Sequence, residues 1–305
     1  MKLTLGTRGS ALAIAQSGLI AEKLRAIGHQ VEILRIQTTG DRLSQLRRPI
    51  EGKGIFTKEL DEALRQRRID FAVHSLKDLP SEIGADLVIA AIPEREDARD
   101  VLVSGENRAL SALPAGARIG TGSPRRAGQL RALRQDISCE EARGNVDTRI
   151  RKLREGVWDA VVLARAGLLR LRREGEAAQI FELREMIPAV GQGALAIVTR
   201  NDSSQEHFRP LDHAHARAAA LCERRLLREL EGGCRAPIAA HAFADAEGLH
   251  LVAAVFSSAG KPYLREEGRG APNRPEDLGT EVAHKLLDRG AASIIAEARA
   301  GAGNL

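Results

Sequence analysis

KLTLGTRGSALAIAQSGLIAEKLRA, residues 2–26, places a strand, a tight turn and a helix in immediate succession. Residues 2–6 alternate apolar with small or polar side chains, the period of a strand. Residues 10–26 have helical spacing and stop at Gly28. A second strand over 31–37 completes a strand–helix–strand unit, which predicts an α/β fold. The same texture continues with a helix over 56–67, a strand over 69–74 and an apolar run over 87–92. PEREDARD, residues 93–100, is polar and opens with Pro, so it is expected to cross over to a second domain. There the theme repeats as strand 118–120, helix 123–134, strand 137–141, helix 146–154 and strand 159–164. PAVGQG, residues 188–193, is a second turn-rich crossover and leads into the apolar run 194–199. Beyond Asp212 the reading is one long helix over 213–230, strand-like runs over 238–244 and 249–256, and a final helix over 275–300, a separate α+β unit.

Composition narrows the function classes. The chain has 305 residues, 43% of them hydrophobic, an ordinary globular share that argues against disorder. The first residues lack the unbroken apolar core of an export signal, and no stretch approaches the roughly 18 apolar residues of a membrane span. Cys139, Cys222 and Cys234 are too few and scattered for a disulfide framework or metal knuckle, which fits a reducing, cytoplasmic setting. Net charge is +5, and only eight of the 46 basic residues are Lys. The planar guanidinium binds carboxylate or phosphate through paired hydrogen bonds, so an Arg-rich chain points to an anionic ligand. Aromatic residues make up 3%, leaving few platforms for stacking unpaired bases. A small polyanion is favoured over nucleic acid.

Gly6-Thr7-Arg8-Gly9-Ser10 follows the first strand and opens a helix, and Gly120-Thr121-Gly122-Ser123 does the same in the second domain. Such turns present N–H groups and hydroxyls at a helix start, where anions bind; two of them suggest a cleft between two lobes. Ser10 and Ser123 are equally readable as simple N-caps. Arg8, Arg125, Arg126, Arg143 and Arg149 lie at or just beyond these strand ends, the side of open α/β sheets that receives ligands. Lys53 and Lys58 flank a glycine-bearing loop. FAVHSLKDLP, residues 71–80, runs a strand into Ser75, Lys77 and Asp78. A carboxylate there can hold an N–H donor and stabilise a developing cation, or else cap the next turn. His74 reads as a core residue. Cys234 follows Gly232 and Gly233 on an open turn and is either a nucleophile for covalent attachment or incidental. Cys139 and Cys222 read as small buried hydrophobes.

The stretches GTRGSALAIAQ (6–16), EGKGIFTKEL (51–60), FAVHSLKDLP (71–80), PEREDARD (93–100), GTGSPRRAGQL (120–130), RGNVDTR (143–149), LARAGLLRL (163–171), PAVGQGALAI (188–197) and LEGGCRAP (230–237) together resemble the porphobilinogen deaminase family along nearly the whole chain. The resemblance implies two α/β lobes similar to type II periplasmic binding proteins, residues 1–93 with 194–212 and residues 94–193. A small C-terminal α+β domain, 213–305, carries the cysteine. It implies a transferase of tetrapyrrole (haem and chlorophyll) biosynthesis, a hydroxymethylbilane synthase, that deaminates four porphobilinogen molecules and joins them head to tail. They grow on a dipyrromethane cofactor held by a thioether to Cys234, and hydrolysis then releases the tetrapyrrole. By the same matching Asp78 is catalytic, contacting pyrrole N–H groups and stabilising positive charge as ammonia leaves. Arg8, Ser10, Lys53, Lys77, Thr121, Ser123, Arg125, Arg126, Arg143, Arg149 and Arg170 hold acetate and propionate groups. No metal, nucleic acid or membrane partner is implied; the family suggests a cytoplasmic monomer with transient hand-over to uroporphyrinogen-III synthase. Residues 46–51 are expected in a mobile loop.

This sequence departs from the family at Gly122 and Pro124, often Ser and Leu, at Glu51, commonly Gly, and at Arg165, usually apolar. A periplasmic-type receptor for an organic acid is the rival reading, since it would share the fold and the Arg residues. It would need an export signal and no LEGGC segment. A nucleic-acid-binding protein, suggested by charge alone, would show steep salt dependence.

Overall fold

The computed structural model describes residues 1–40, 57–231 and 236–301. The strands are β1 (Lys2–Thr7), β2 (Gln30–Arg35), β3 (Phe71–Ser75), β4 (Leu87–Ala91), β5 (Asp100–Ser104), β6 (Arg118–Gly120), β7 (Ser138–Glu140), β8 (Ala160–Ala164), β9 (Gln179–Ile180), β10 (Leu195–Arg200), β11 (Ile238–Asp245), β12 (Gly248–Phe256) and β13 (Tyr263–Gly270). The chain divides into two compact units, Met1–Glu96 with Ala194–Arg217, and Asp97–Gly193 with Ala218–Leu305.

The first unit is built on a sheet of order β2-β1-β3-β10-β4. Strand β1 runs parallel to β2 and β3, whereas β10 runs antiparallel to both β3 and β4. Alternation buries Leu3 and Leu5 of β1 against Ile20 and Leu24 of helix Ala11–Ala26, beside Phe71 and Phe208. That helix starts because the Ser10 hydroxyl accepts from the Ala13 N–H at 3.3 Å. It ends where Gly28 takes φ +92°.

The second unit holds two sheets. The first has order β7-β6-β8-β5-β9, with β6 parallel to β7 and β8, and β5 antiparallel to β8 and β9. Its layout repeats that of the first unit: three parallel strands, then one reversed strand, then an edge. The expected α/β class with two like lobes is therefore present, as is the small α+β portion. That portion is the antiparallel sheet β11-β12-β13, with one face closed by helices. Leu226, Leu251, Val255, Leu278, Val282 and Leu286 form its core.

Several elements differ from the sequence expectation. The C-terminal helix is two, Pro275–Asp288 and Ala291–Gly301, because Gly290 at φ +93° ends the first. Strand β13 was not anticipated, since YLREEGRG is half charged and glycine-bearing. Its glycines serve close packing: a Cβ on Gly268 would lie 2.8 Å from both Leu278 and Val282. Asp100, assigned to the polar crossover, is instead the first residue of β5 and fully buried.

Candidate active site

Parallel pairing fixes where the candidate residues go. Strands β1 and β3 end on one edge of their sheet, so Ser75 closes β3 and Arg8, Ser10, Lys77 and Asp78 follow strand ends on that edge. Strands β6, β7 and β8 end together likewise, and Thr121, Ser123, Arg125, Arg126, Arg143, Arg149 and Arg170 follow them. Each unit thus gathers its candidates at one carboxyl edge. Lys53 and Cys234, like residues 46–51, lie outside the described residues.

In the first unit β3 runs into a single 3-10 turn, Leu76–Asp78, which leaves Asp78 exposed and Lys77 half-buried. Ser75 accepts from the Gln16 side chain at 2.9 Å, which ties the end of β3 to helix Ala11–Ala26. His74 is buried, as expected of a core residue. Burial first, and the positive charge of Arg8 second, push its imidazole down to about 4, so it is neutral near pH 7. Its Nε2 has no hydrogen-bond partner among the described residues.

In the second unit the Ser123 hydroxyl accepts from the Arg126 N–H at 3.5 Å, and the Thr121 hydroxyl from the Ser123 N–H at 3.2 Å. Ser123 therefore caps its helix, as its sequence allowed, and Thr121 closes the turn before it. The turn stays tight because a Cβ on Gly122 would lie 3.1 Å from the Ala142 carbonyl. Arg143 is exposed and donates to Glu141 at 2.5 Å; Arg149 donates to the Gly144 carbonyl at 2.9 Å; Arg170 donates to the Gly193 carbonyl at 2.6 Å. Arg165, the departure in LARAGL, pairs with Asp97 at 2.7 Å and so fastens the first crossover.

Arg125 and Arg126 are more buried than a sequence reading suggests, at 2% and 6% exposure. Arg126 contacts Asp100 through Nε and a terminal nitrogen at 3.1 and 2.7 Å and also donates to the Val162 carbonyl. Arg125 ion-pairs with Asp100 at 2.8 Å and donates to the Ile187 carbonyl at 2.6 Å. Gln192, in PAVGQG, donates to Asp100 at 2.8 Å and to the Ala98 carbonyl at 2.7 Å. Burial would raise the Asp100 carboxyl, but the two guanidiniums outweigh it and hold it well below the usual carboxylate range. Sequence reasoning missed Asp100 and Gln192. The apolar run Val101–Val103 directly after Asp100 was the available signal that a strand begins there.

Glu223 was missed as well. Fully buried in helix Ala214–Glu229, it accepts from the Gly191 N–H at 2.6 Å and the Ala242 N–H at 2.7 Å. It ties the second crossover to β11. Cys222 is buried and Cys139 partly so, and burial raises both thiols. Among the described residues no cluster of His, Cys, Asp and Glu could hold a metal ion, and no helix is long and apolar enough to cross a membrane.

The layout defines a class: an α/β protein with two like-ordered mixed sheets and Arg-rich strand-to-helix turns at their carboxyl edges. Residues 3–207 match the family model described as porphobilinogen deaminase, dipyromethane cofactor binding domain, and residues 218–288 match porphobilinogen deaminase, C-terminal domain. A porphobilinogen deaminase of Desulforudis audaxviator is 47% identical over 307 residues, covering 99% of both chains. Another, of Rubrobacter xylanophilus, is 47% identical over 302 residues and covers 96% of both. Among solved structures, a YaeC-family lipoprotein of Enterococcus faecalis aligns with 69% of this chain and 90% of its own, at 14% identity and a TM-score of 0.41. This chain belongs to the porphobilinogen deaminase family, a family of transferases with a dipyrromethane cofactor binding domain.

Proposed function

We propose that the chain is a hydroxymethylbilane synthase that joins four porphobilinogen molecules, with Asp78 as its catalytic residue and Cys234 as the anchor of its dipyrromethane. The observation that carries this reading is the gathering of Asp78 and the Arg-bearing turns at the carboxyl edges of parallel strands. The donor set suits the cofactor. Each pyrrole bears two carboxylates, and Arg125 keeps a buried Nε–H without a partner among the described residues. Arg8, Ser10, Lys53, Lys77, Thr121, Ser123, Arg125, Arg126, Arg143, Arg149 and Arg170 are the groups proposed to hold acetate and propionate side chains.

When bound, the dipyrromethane supplies the terminal pyrrole carbon on which the chain of four grows. Asp78, exposed at the end of its turn, accepts from a pyrrole N–H. Its negative charge stabilises the positive charge that develops as the aminomethyl C–N bond of porphobilinogen breaks and ammonia leaves. The guanidiniums fix the rings by their carboxylates, so that reacting carbons meet in a set orientation. His74, neutral near pH 7, is buried and remains outside the proton transfers. The division we favour is 1–93 with 194–212, 94–193 and 213–305, supported by one sheet in each part. A cytoplasmic monomer that hands its product to uroporphyrinogen-III synthase is the corresponding reading of its setting, supported by the family resemblance.

The test is intact mass under denaturing conditions, with Cys234→Ala alongside. The parent chain, after incubation with porphobilinogen, is expected to be heavier by two deaminated porphobilinogen units, and the variant to have its bare mass. A variant that still gains pyrroles would move the anchor elsewhere, and a parent that never gains them would overturn the reading.

A further inference from the structure

Successive residues on a helix point about 100° apart, so Arg125 and Arg126 do not converge unless something draws them together. Asp100 does so. One oxygen pairs with Arg125 at 2.8 Å, and the other receives Arg126 at 2.7 Å and the Gln192 amide at 2.8 Å. Both arginines also donate to backbone carbonyls, of Ile187 and Val162. Gln129 reinforces the same stretch, accepting from the Ile187 N–H at 2.7 Å and donating to its carbonyl at 3.0 Å.

The charge count is unbalanced. Among the described residues two guanidiniums face one carboxylate, all three residues are at most 6% exposed, and Arg125 Nε has no partner. Apolar residues of similar volume would hold a helix to a sheet at least as well as buried ions do. An excess buried cation is explained if an anion completes the group in the working state. Nothing about Asp100 suits direct contact with that anion, since its own charge would repel it.

We propose that Asp100 is a positioning residue. By clamping Arg125 and Arg126 as a fixed pair, and being clamped in turn by Gln192, it presets the pair for a ligand carboxylate, so that binding requires no reorganisation of the arginines. This rests on the carboxylate-binding reading above. It adds a residue that touches no substrate, and it gives the buried Gln192 of PAVGQG a role in binding.

The experiment compares the parent holoenzyme with Asp100→Asn, which keeps the side chain's size and removes its charge. Initial rates over a range of porphobilinogen concentrations and intact masses of enzyme–intermediate complexes are both recorded. KM is expected to rise about tenfold, complexes are expected to pile up at one stage of elongation, and Asp100→Glu should recover part of the loss. An unchanged KM and stage distribution, or a fall in kcat alone that tracks the folded fraction, overturns the proposal. If Asp100→Asn does not fold, Gln192→Met carries the test, because it keeps every charge and removes hydrogen bonds to Asp100 and Ala98. About a threefold rise in KM is then expected, and no rise overturns the proposal. A parent enzyme that leaves porphobilinogen unconsumed defeats the function reading itself, an outcome distinct from either variant result.

Discussion

Asp78 and Asp100 are both carboxylates at the ends of sheet strands, yet their surroundings divide their work. Asp78 stands exposed on a three-residue turn, open to a ligand, whereas Asp100 is sealed between two guanidiniums. Replacing Asp78 with Ala is expected to leave far-UV circular dichroism and the unfolding midpoint unchanged. Turnover should fall about a thousandfold, the scale for losing a group that meets charge developing in the transition state. A near-normal kcat would remove Asp78 from the chemistry. The difference also explains what the sequence could reveal. Asp78, Arg8, Ser10 and Ser123 are placed by a strand running directly into a turn, which is local information. Asp100 meets Arg126 across 26 residues and Gln192 across 92, and Glu223 meets Gly191 across 32. Read locally, Asp100 was one more polar residue in PEREDARD.

At the scale of elements, hydrophobic periodicity located the strands and helices that alternate cleanly and failed where glycine governs. Residues 263–270 looked unlike a strand because their small residues make room for a helix instead of filling a core themselves. Residues 275–300 looked continuous because apolar spacing carries across Gly290. Gly279, inside helix Pro275–Asp288, shows how tight this packing is. A Cβ there would lie 2.4 Å from the Cys222 carbonyl oxygen, 2.9 Å from Arg225 Cβ and 3.1 Å from the Leu226 nitrogen. Two of the three are backbone atoms that cannot swing aside. Ala favours a helix interior over Gly by about 1 kcal/mol, whereas overpacking a well-filled contact costs about 1–3 kcal/mol. The clash should win. Gly279→Ala is therefore expected to lower the urea midpoint, and a raised midpoint would show that the two helices separate without cost.

Across the whole molecule, the two units carry acid sensitivities of different origin. In the first, His74 has an ordinary value of 6.5 and a folded value of about 4. Between those values the unfolded chain takes up a proton that the native state refuses, so stability falls as pH drops through this window, by roughly 3 kcal/mol at most. In the second, the Asp100 carboxyl is held below its ordinary 3.8. The stability it confers is complete above that value and is lost only as pH falls further, towards its folded value. Trp158, the chain's single Trp, lies in the second unit. Its fluorescence transition in urea should hold from pH 6.5 to 4 while the circular dichroism transition moves to lower urea, and then shift below about 4. Coincident movement of the two transitions at every pH would refute this assignment. The interleaving of the chain has a consequence during its own synthesis. Strand β10 lies between β3 and β4 but is translated about a hundred residues after them. A ribosome that stops anywhere before residue 195 releases a first sheet with an interior slot empty and the facing edges of β3 and β4 bare. Such fragments would be open to unwanted strand pairing and to proteases, so a premature stop codon even two-thirds of the way along the message should leave no surviving first unit.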